Sequence, residues 1–275
     1  MIRKIRFPKI FFGWGVVLTG SFLNLWGAGY SVYGFSALLK PIALELGFTR
    51  AVTSIAASVA RFGGGLETPI TGWLTDRFGP RKVILVGILL FGLGLILMNF
   101  VNSLWAFYLI WGVIVGTGMN TSSGVPMVAA ITNWFIKKRG LALGVRMMIS
   151  GVFVLPFITW LITTQGWRTS CVIGGVVMLV VGLFLTKRFI RDRRPEHYGL
   201  LPDGATVADE LKEDRGRMLE MGIEYAAEVQ EVEFTLRQAM KTPAYWLIIA
   251  AFIGPSVAMT AMVIHLVPLL TDMGM

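Results

Sequence analysis

Cysteine, histidine and charge are all scarce in this 275-residue sequence. A single cysteine, Cys171, excludes an internal disulfide and any cysteine-based zinc site. The only histidines, His197 and His265, stand far apart in the chain. With so few nucleophiles and ligands, the constellation a membrane enzyme would need at the bilayer surface is missing. No G-x-x-x-x-G-K-[ST] loop occurs, so ATP is not expected to drive whatever the chain does, and no cofactor is implied. Charged residues make up 15%, against roughly 25% in soluble domains. No small-residue cleavage pattern follows the first apolar run, which therefore reads as a membrane helix and not as a signal peptide.

What is plentiful is apolar: 55% hydrophobic residues and a mean hydropathy of +0.69. The charges gather between apolar runs of about twenty residues, each long enough to cross a hydrocarbon core of about 30 Å. Seven spans are predicted, over 11–38, 51–74, 83–101, 104–134, 140–163, 169–188 and 244–270. The expected class is an all-α membrane protein. Its expected parts are a six-helix bundle (1–188), a cytoplasmic central loop (189–243) and a seventh helix (244–275).

The formal charge of +9 does not point to nucleic acid, because of where the positive residues sit. Arg3, Lys4, Arg6 and Lys9 precede the first span. Arg77, Arg81 and Lys82 follow the second, Lys137, Lys138 and Arg139 follow the fourth, and Lys187, Arg188, Arg191, Arg193 and Arg194 follow the sixth. Fifteen basic residues thus face one side, against Lys40, Arg50 and Arg168 on the other. Excess Lys and Arg in short loops marks the cytoplasm. The N-terminus is expected inside, in a multi-pass protein of the cell membrane, with anionic lipid head groups as additional partners.

The central loop is acidic from Asp209 to Glu233 and reads as a solvated linker, with helix from about Ala205 onward. Thr235 and Gln238 match a capping box for a short helix before the next span. Six spans plus one suggests the opening of a second bundle. The sequence is therefore expected to be truncated, with about five helices missing, and to carry no net solute flux alone.

Gly72-Trp-Leu-Thr-Asp-Arg-Phe-Gly-Pro-Arg-Lys82 lies between the second and third spans. Gly72 is expected to admit a neighbouring helix, Gly79 to make the turn, and Pro80 to open the next helix. Asp76 beside Arg77 and Arg81 suits charge-assisted bonds at the surface. The run fits G-x-L-x-D-R-x-G-x-[RK]-[RK] and resembles the loop signature of the major facilitator superfamily. That resemblance implies a cytoplasmic latch between two halves, formed by Gly72, Asp76, Arg77, Gly79, Arg81 and Lys82.

Four further stretches narrow it: Asn133-Trp-Phe-Ile-Lys-Lys-Arg-Gly-Leu-Ala-Leu-Gly144, Gly166-Trp-Arg168, Arg194-Pro-Glu-His-Tyr-Gly-Leu-Leu-Pro-Asp-Gly204 and His265-Leu-Val-Pro268. Together they resemble the monocarboxylate transporter and oxalate/formate antiporter branch, particularly its prokaryotic members. The implied function is secondary active transport of small organic anions, mono- or dicarboxylates, by alternating access. Protons or a counter-anion would be the coupled partner. The alternatives are a drug or sugar carrier on the same scaffold and a transporter-like receptor. Two departures matter. Trp111 and Gly112 stand where many proton-coupled facilitators carry an arginine, and no lysine lies near Gly34 as it does in animal monocarboxylate carriers.

Ionisable groups inside a span are costly and mark function by default. Arg61, near the middle of the second span, is a candidate for substrate binding or gating through its forked donors, or for a structural pairing. Glu67 is a candidate for proton coupling or for a hydrogen-bonded structural acid. Arg146 either pairs with Glu67 or, as the side chain's length favours, snorkels to the surface. Asn120, Thr121, Ser122 and Ser123 either line a cavity or bond their own helix. Asn24, Tyr30 and Tyr33 of the first span, with Tyr33 nearest the outer mouth, and His265 near Pro268 complete the candidates. Gly112 and Gly116 form a G-x-x-x-G close-contact pattern.

Overall fold

In lipid a backbone N–H has no water to bond, so each apolar run closes its hydrogen bonds within itself as a helix. The computed structural model describes residues 11–47, 49–205, 215–227 and 236–255, and among them no strand occurs. Two compact units are distinguished, Met1–Tyr225 and Ala226–Met275.

The first span is α1 (Gly13–Ala28), a π-helical stretch (Gly29–Tyr33) and α2 (Gly34–Leu46), which runs through Pro41 well beyond the predicted end. The second is α3 (Arg50–Phe78), opened by the Thr49 side chain, which accepts from the Val52 amide. The third is α4 (Pro80–Leu97), with Pro80 in its first turn, and a 3-10 turn at Met98–Phe100.

The fourth span is not the single rod expected from its apolar run. It consists of α5 (Leu104–Phe107), a π-helical stretch (Tyr108–Val115), α6 (Gly116–Ser123) and α7 (Val125–Thr132). Gly124, with φ −79° and ψ −134°, breaks it, and Pro126 at the start of α7 lacks the N–H that would have continued the ladder. The fifth is broken too: α8 (Arg139–Met148) ends at Ile149, and a 3-10 turn at Gly151–Val154 leads into α9 (Leu155–Val177). Gly166, at φ 82°, folds α9 back on itself and separates the fifth span from the sixth. The sixth continues through Met178–Gly182 and α10 (Leu183–Phe189).

By length and composition, Pro80–Phe100, Leu104–Thr132 and Arg139–Phe189 are apolar enough to cross a membrane. The last holds two spans joined at Gly166. The first and second spans are long enough but diluted by glycine and by the polar and charged groups named above. Trp105, Leu66, Val180 and Phe184 point outward as large exposed apolar side chains, the arrangement that a lipid surround favours.

Inside, glycines set the spacing. A Cβ on Gly87 of α4 would collide with the Ser122 amide of α6, and one on Gly118 of α6 would collide with the Phe91 backbone of α4. Gly116 brings α6 against Ala60 of α3, as the G-x-x-x-G pattern predicts for that member. Gly151 meets the backbone of Ala28 and Gly29, and Gly174 meets the ring of Tyr30. The first and sixth spans are joined by Trp26 Nε1–H to the Gly174 carbonyl and the Tyr30 hydroxyl to the Ser170 carbonyl, both at 2.9 Å.

In the polar segment, α11 (Arg215–Ala227) and α12 (Leu236–Ala239) are helical as expected; Thr235 lies outside the described residues. The seventh span is described only as α13 (Pro243–Pro255).

A leucine at Gly118 forces α4 and α6 apart and should cost about 1–3 kcal/mol or more. A Cβ at Gly65 meets nothing within 4 Å. The melting temperature of detergent-solubilised full-length protein should fall by several degrees for Gly118→Leu and hold or rise slightly for Gly65→Ala, a helix-interior position. Equal melting of the two variants would contradict the packing.

Candidate functional site

The two helix breaks converge on the middle of the first span. On α1, Gly20, Asn24 and Gly27 recur at i, i+4 and i+7 and so share one face. Arg146 of α8 lays its stem across Gly20, with Cδ 3.3 Å from where a Cβ would stand. One turn on, Asn24 Nδ2–H donates to the Ile149 carbonyl at 3.3 Å, where α8 ends. Gly27 faces Met119 and the Ser123 hydroxyl. Above it, the Ser150 hydroxyl donates to the Tyr33 hydroxyl at 3.2 Å. Tyr33 stands in a π-helical stretch, a local form that recurs at functional sites.

Arg146 neither snorkels nor pairs with Glu67. It is 2% exposed, and its Nη2 donates to the Ser123 carbonyl beside the Gly124 break. Nε and Nη1 are buried without an acceptor among the described residues. The helix-to-helix contact of α1 and α8 holds the stem down, so the guanidinium cannot reach the surface. Glu67 accepts instead from the Thr117 hydroxyl, and its other oxygen is buried without a partner.

The polar run of α6 divides. Asn120 lies against Gly64 of α3, its amide filling the room of a missing side chain. Ser122 is turned to packing: its amide abuts Gly87, and its hydroxyl donates to the Met119 carbonyl of its own helix. Thr121 is buried beside it. The side chain of Arg61 and the whole of His265 lie outside the described residues.

At the end of the bundle that carries the basic loops, the geometry corrects one expectation. A Cβ on Gly72 meets nothing within 4 Å among the described residues. Asp76 is exposed, and no bond joins it to Arg77 or Arg81. Arg77 instead lies over the rings of Trp73 and Phe78, at 5.3 and 5.6 Å. The acid that serves the turn is Asp192, which accepts from the Arg81 amide at 3.0 Å. It also presses on Gly79, whose φ of 85° and lack of a Cβ the turn requires. Arg81 Nη2 donates to the Lys187 carbonyl at 2.9 Å, and Lys82 is exposed.

A second acid that sequence reasoning passed over is Asp203. It is buried, with a left-handed φ of 59°. Its carboxylate accepts three successive amides, Ile136, Lys137 and Lys138, at 3.1, 2.8 and 2.9 Å. Such a run of amides is a nest for negative charge. The Tyr225 hydroxyl donates to it at 3.2 Å, and Lys137 Nζ lies 4.0 Å above the Tyr225 ring. Nearby, Arg191 is held between the rings of Phe12 and Tyr198, at 4.2 and 4.3 Å. The signal was present as Pro202-Asp203-Gly204, a turn sequence in which Asp tolerates left-handed backbone.

The opposite face is tied by Glu45, beyond the end of the first predicted span. It accepts from Arg168 Nε at 2.9 Å and from Trp167 Nε1. Arg168 also donates to the carbonyls of Asn99 and Val101 and to Asn102 Oδ1. The Arg168 hydrogen bond, aided by Trp167 against some desolvation, holds the Glu45 carboxyl below its ordinary range.

Two outcomes follow. Asp203→Asn keeps the shape and the tolerance of left-handed backbone but weakens acceptance of three amides, at a cost of about 1–3 kcal/mol. Trypsin should then cut faster after Arg191 and Arg193, read by mass spectrometry of the products, since Pro195 blocks cleavage after Arg194. Glu45 has a depressed folded-state value, so its contribution is complete above the ordinary carboxylate range and is lost as pH falls through the folded value. The melting temperature of Glu45→Gln should be lower at neutral pH and less sensitive to acid than that of the unaltered protein.

The comparisons with known proteins agree with this architecture. Monocarboxylate transporter 13 of Rattus norvegicus is 29% identical over 194 residues, covering 67% of this chain and 42% of that protein. Monocarboxylate transporter 1 of Homo sapiens is 33% identical over 177 residues (61% and 34%), and monocarboxylate transporter 2 of Rattus norvegicus 35% over 182 residues (61% and 35%). The chain therefore spans well under half the length of these relatives. Residues 17–275 match the Major Facilitator Superfamily. On that match, the chain, with its helix breaks at Gly124 and Ile149, belongs to the Major Facilitator Superfamily.

Proposed function

We propose that the protein is a secondary active transporter of small organic anions, mono- or dicarboxylates, working by alternating access in symport or antiport. The observation that carries this reading is similarity to proteins named monocarboxylate transporters over two thirds of the chain. The superfamily is one of transporters and not of enzymes, which removes catalysis from consideration. The buried interior supports an anionic solute, because the positive charge of Arg146 stands at the helix breaks with no acid paired to it among the described residues. An uncompensated cation repels cationic drugs and favours an anion over an uncharged sugar.

In this reading the central face of α1, α6 and the start of the fifth span line the pathway, with Asn120 and Tyr33 as hydrogen-bonding groups. Arg61 takes a substrate-binding or gating role from α3, and His265 one from the seventh span. Ser122 contributes packing. Glu67, engaged by Thr117, is a coupling or structural acid. The Gly72–Lys82 loop latches the two halves on the cytoplasmic side. The N-terminus is cytoplasmic in a cell membrane, set by fifteen basic residues on one face.

Uptake of labelled pyruvate, lactate, formate and oxalate into proteoliposomes holding the full-length protein tests the reading. At least one anion should accumulate under a proton or counter-anion gradient. Transport of a neutral solute with none of the four anions would sink it. Arg61→Gln should abolish anion uptake while the protein stays folded, and uptake by that variant at the original rate would remove Arg61 from the assignment.

A further inference from the structure

Arg146 stands about 10 Å along α8 from Arg139 at its cytoplasmic start, from seven residues at 1.5 Å each. A structural arginine at such depth ordinarily has its donors satisfied, since an unpaired buried charge is strongly destabilising. This one does not. Among the described residues only Nη2 of its three nitrogens has a partner, the Ser123 carbonyl, while Nε and Nη1 have none. The hydroxyl of Ser123, the residue Arg146 grasps, is also buried without a partner. The acid best placed in sequence to neutralise it, Glu67, is engaged by Thr117.

The surroundings combine a close helix crossing with broken backbone. Arg146 lies between two interruptions of regular helix, at Gly124 and at Ile149. Irregular backbone at membrane depth is tolerated where it lines a cavity or is enclosed by protein. Transporter sites are built from such discontinuous helices. The wall opposite is the Gly20–Asn24–Gly27 face of α1, closed at its ends by two methionines, Met127 against Gly20 and Met119 against Gly27. Their unbranched thioethers are the most easily displaced side chains available for such a lid.

We propose that Arg146 anchors an anion-binding site at the junction of α1, α6 and α8, taking the carboxylate of the transported solute. The inference rests on the proposed organic-anion function and names the residue that reads the charge. A carboxylate satisfies Nη1 and, by replacing the Ser123 carbonyl at Nη2, completes a planar two-bond fork. The Ser123 hydroxyl supplies a further donor. Lysine cannot reproduce the fork, being a point charge on a flexible stem.

The test uses full-length protein in proteoliposomes and detergent. First, uptake kinetics of whichever of pyruvate, lactate, formate and oxalate the unaltered protein transports are compared with those of Arg146→Gln and Arg146→Lys. The expected result is a KM raised at least tenfold in Arg146→Gln and by a smaller factor in Arg146→Lys. Unchanged KM in a folded Arg146→Gln protein overturns the proposal. Second, and independent of whether the variants fold, unaltered protein is treated with phenylglyoxal and the adduct on Arg146 is quantified by peptide mass spectrometry. Saturating transported anion should lower that adduct at least threefold. Labelling that the anion does not change, or no labelling in either state, overturns the proposal while leaving anion transport standing. Transport of a neutral solute and of no carboxylate instead defeats the functional reading beneath it.

Discussion

The contact on which the bundle depends is backbone against backbone, where α4 crosses α6. Gly87 meets the Ser122 amide there and Gly118 meets Phe91. In lipid, two apolar helices gain no hydrophobic free energy by meeting, so association relies on dispersion at close range. That requires small residues at the crossing. With α4 held this close, Ser122 cannot face a pathway, and α3 is drawn onto the other side of α6 through Gly116 and Ala60. The rotation of α6 then decides which of its polar groups point inward. Asn120 turns toward Gly64, and Ser123 toward the α1 face.

The same crossing explains why the fourth span is not one helix. A straight rod packed tightly at Gly118 would carry its C-terminal half along a fixed line. The break at Gly124, with Pro126 following, redirects α7 toward the aromatic floor built by Phe12, Trp134 and Phe135. The interruption of the fifth span at Ile149 has a matching cause in the backbone-to-backbone approach of Gly151 and Gly29. Both breaks expose carbonyls, and two side chains answer them: Arg146 at Ser123 and Asn24 at Ile149. A charge that sits deep in the bundle is therefore tied to the packing geometry of the glycines around it.

At the end that carries the basic loops, acids from the start of the central loop organise those loops. Asp192 serves the Gly79 turn and Asp203 gathers the three amides ahead of α8. Arg191 is enclosed by Phe12 and Tyr198. The first part of the loop is thus bound to the bundle and is not the solvated linker its polarity suggested. Polarity marks what water would accept, and it carries no information about three amides waiting in a neighbouring turn.

Much was legible in the residues themselves. Apolar length set the helices and Gly72–Lys82 carried the superfamily, because both properties are local and survive whatever the helices later pack against. The turn glycine Gly79, the opening Pro80 and the close contact at Gly116 were read correctly for the same reason. Other features depended on rotation and depth, which no span length reveals. Arg146 had a chain long enough to snorkel, yet crosses Gly20 and stays buried. Asp76 was adjacent to two arginines in sequence, yet Asp192, more than a hundred residues away, occupies that place. Sequence alone determined that this is a multi-span helical bundle of a known superfamily. Only the tertiary structure decided which polar groups share its interior, since that is fixed by how closely each pair of helix backbones can approach.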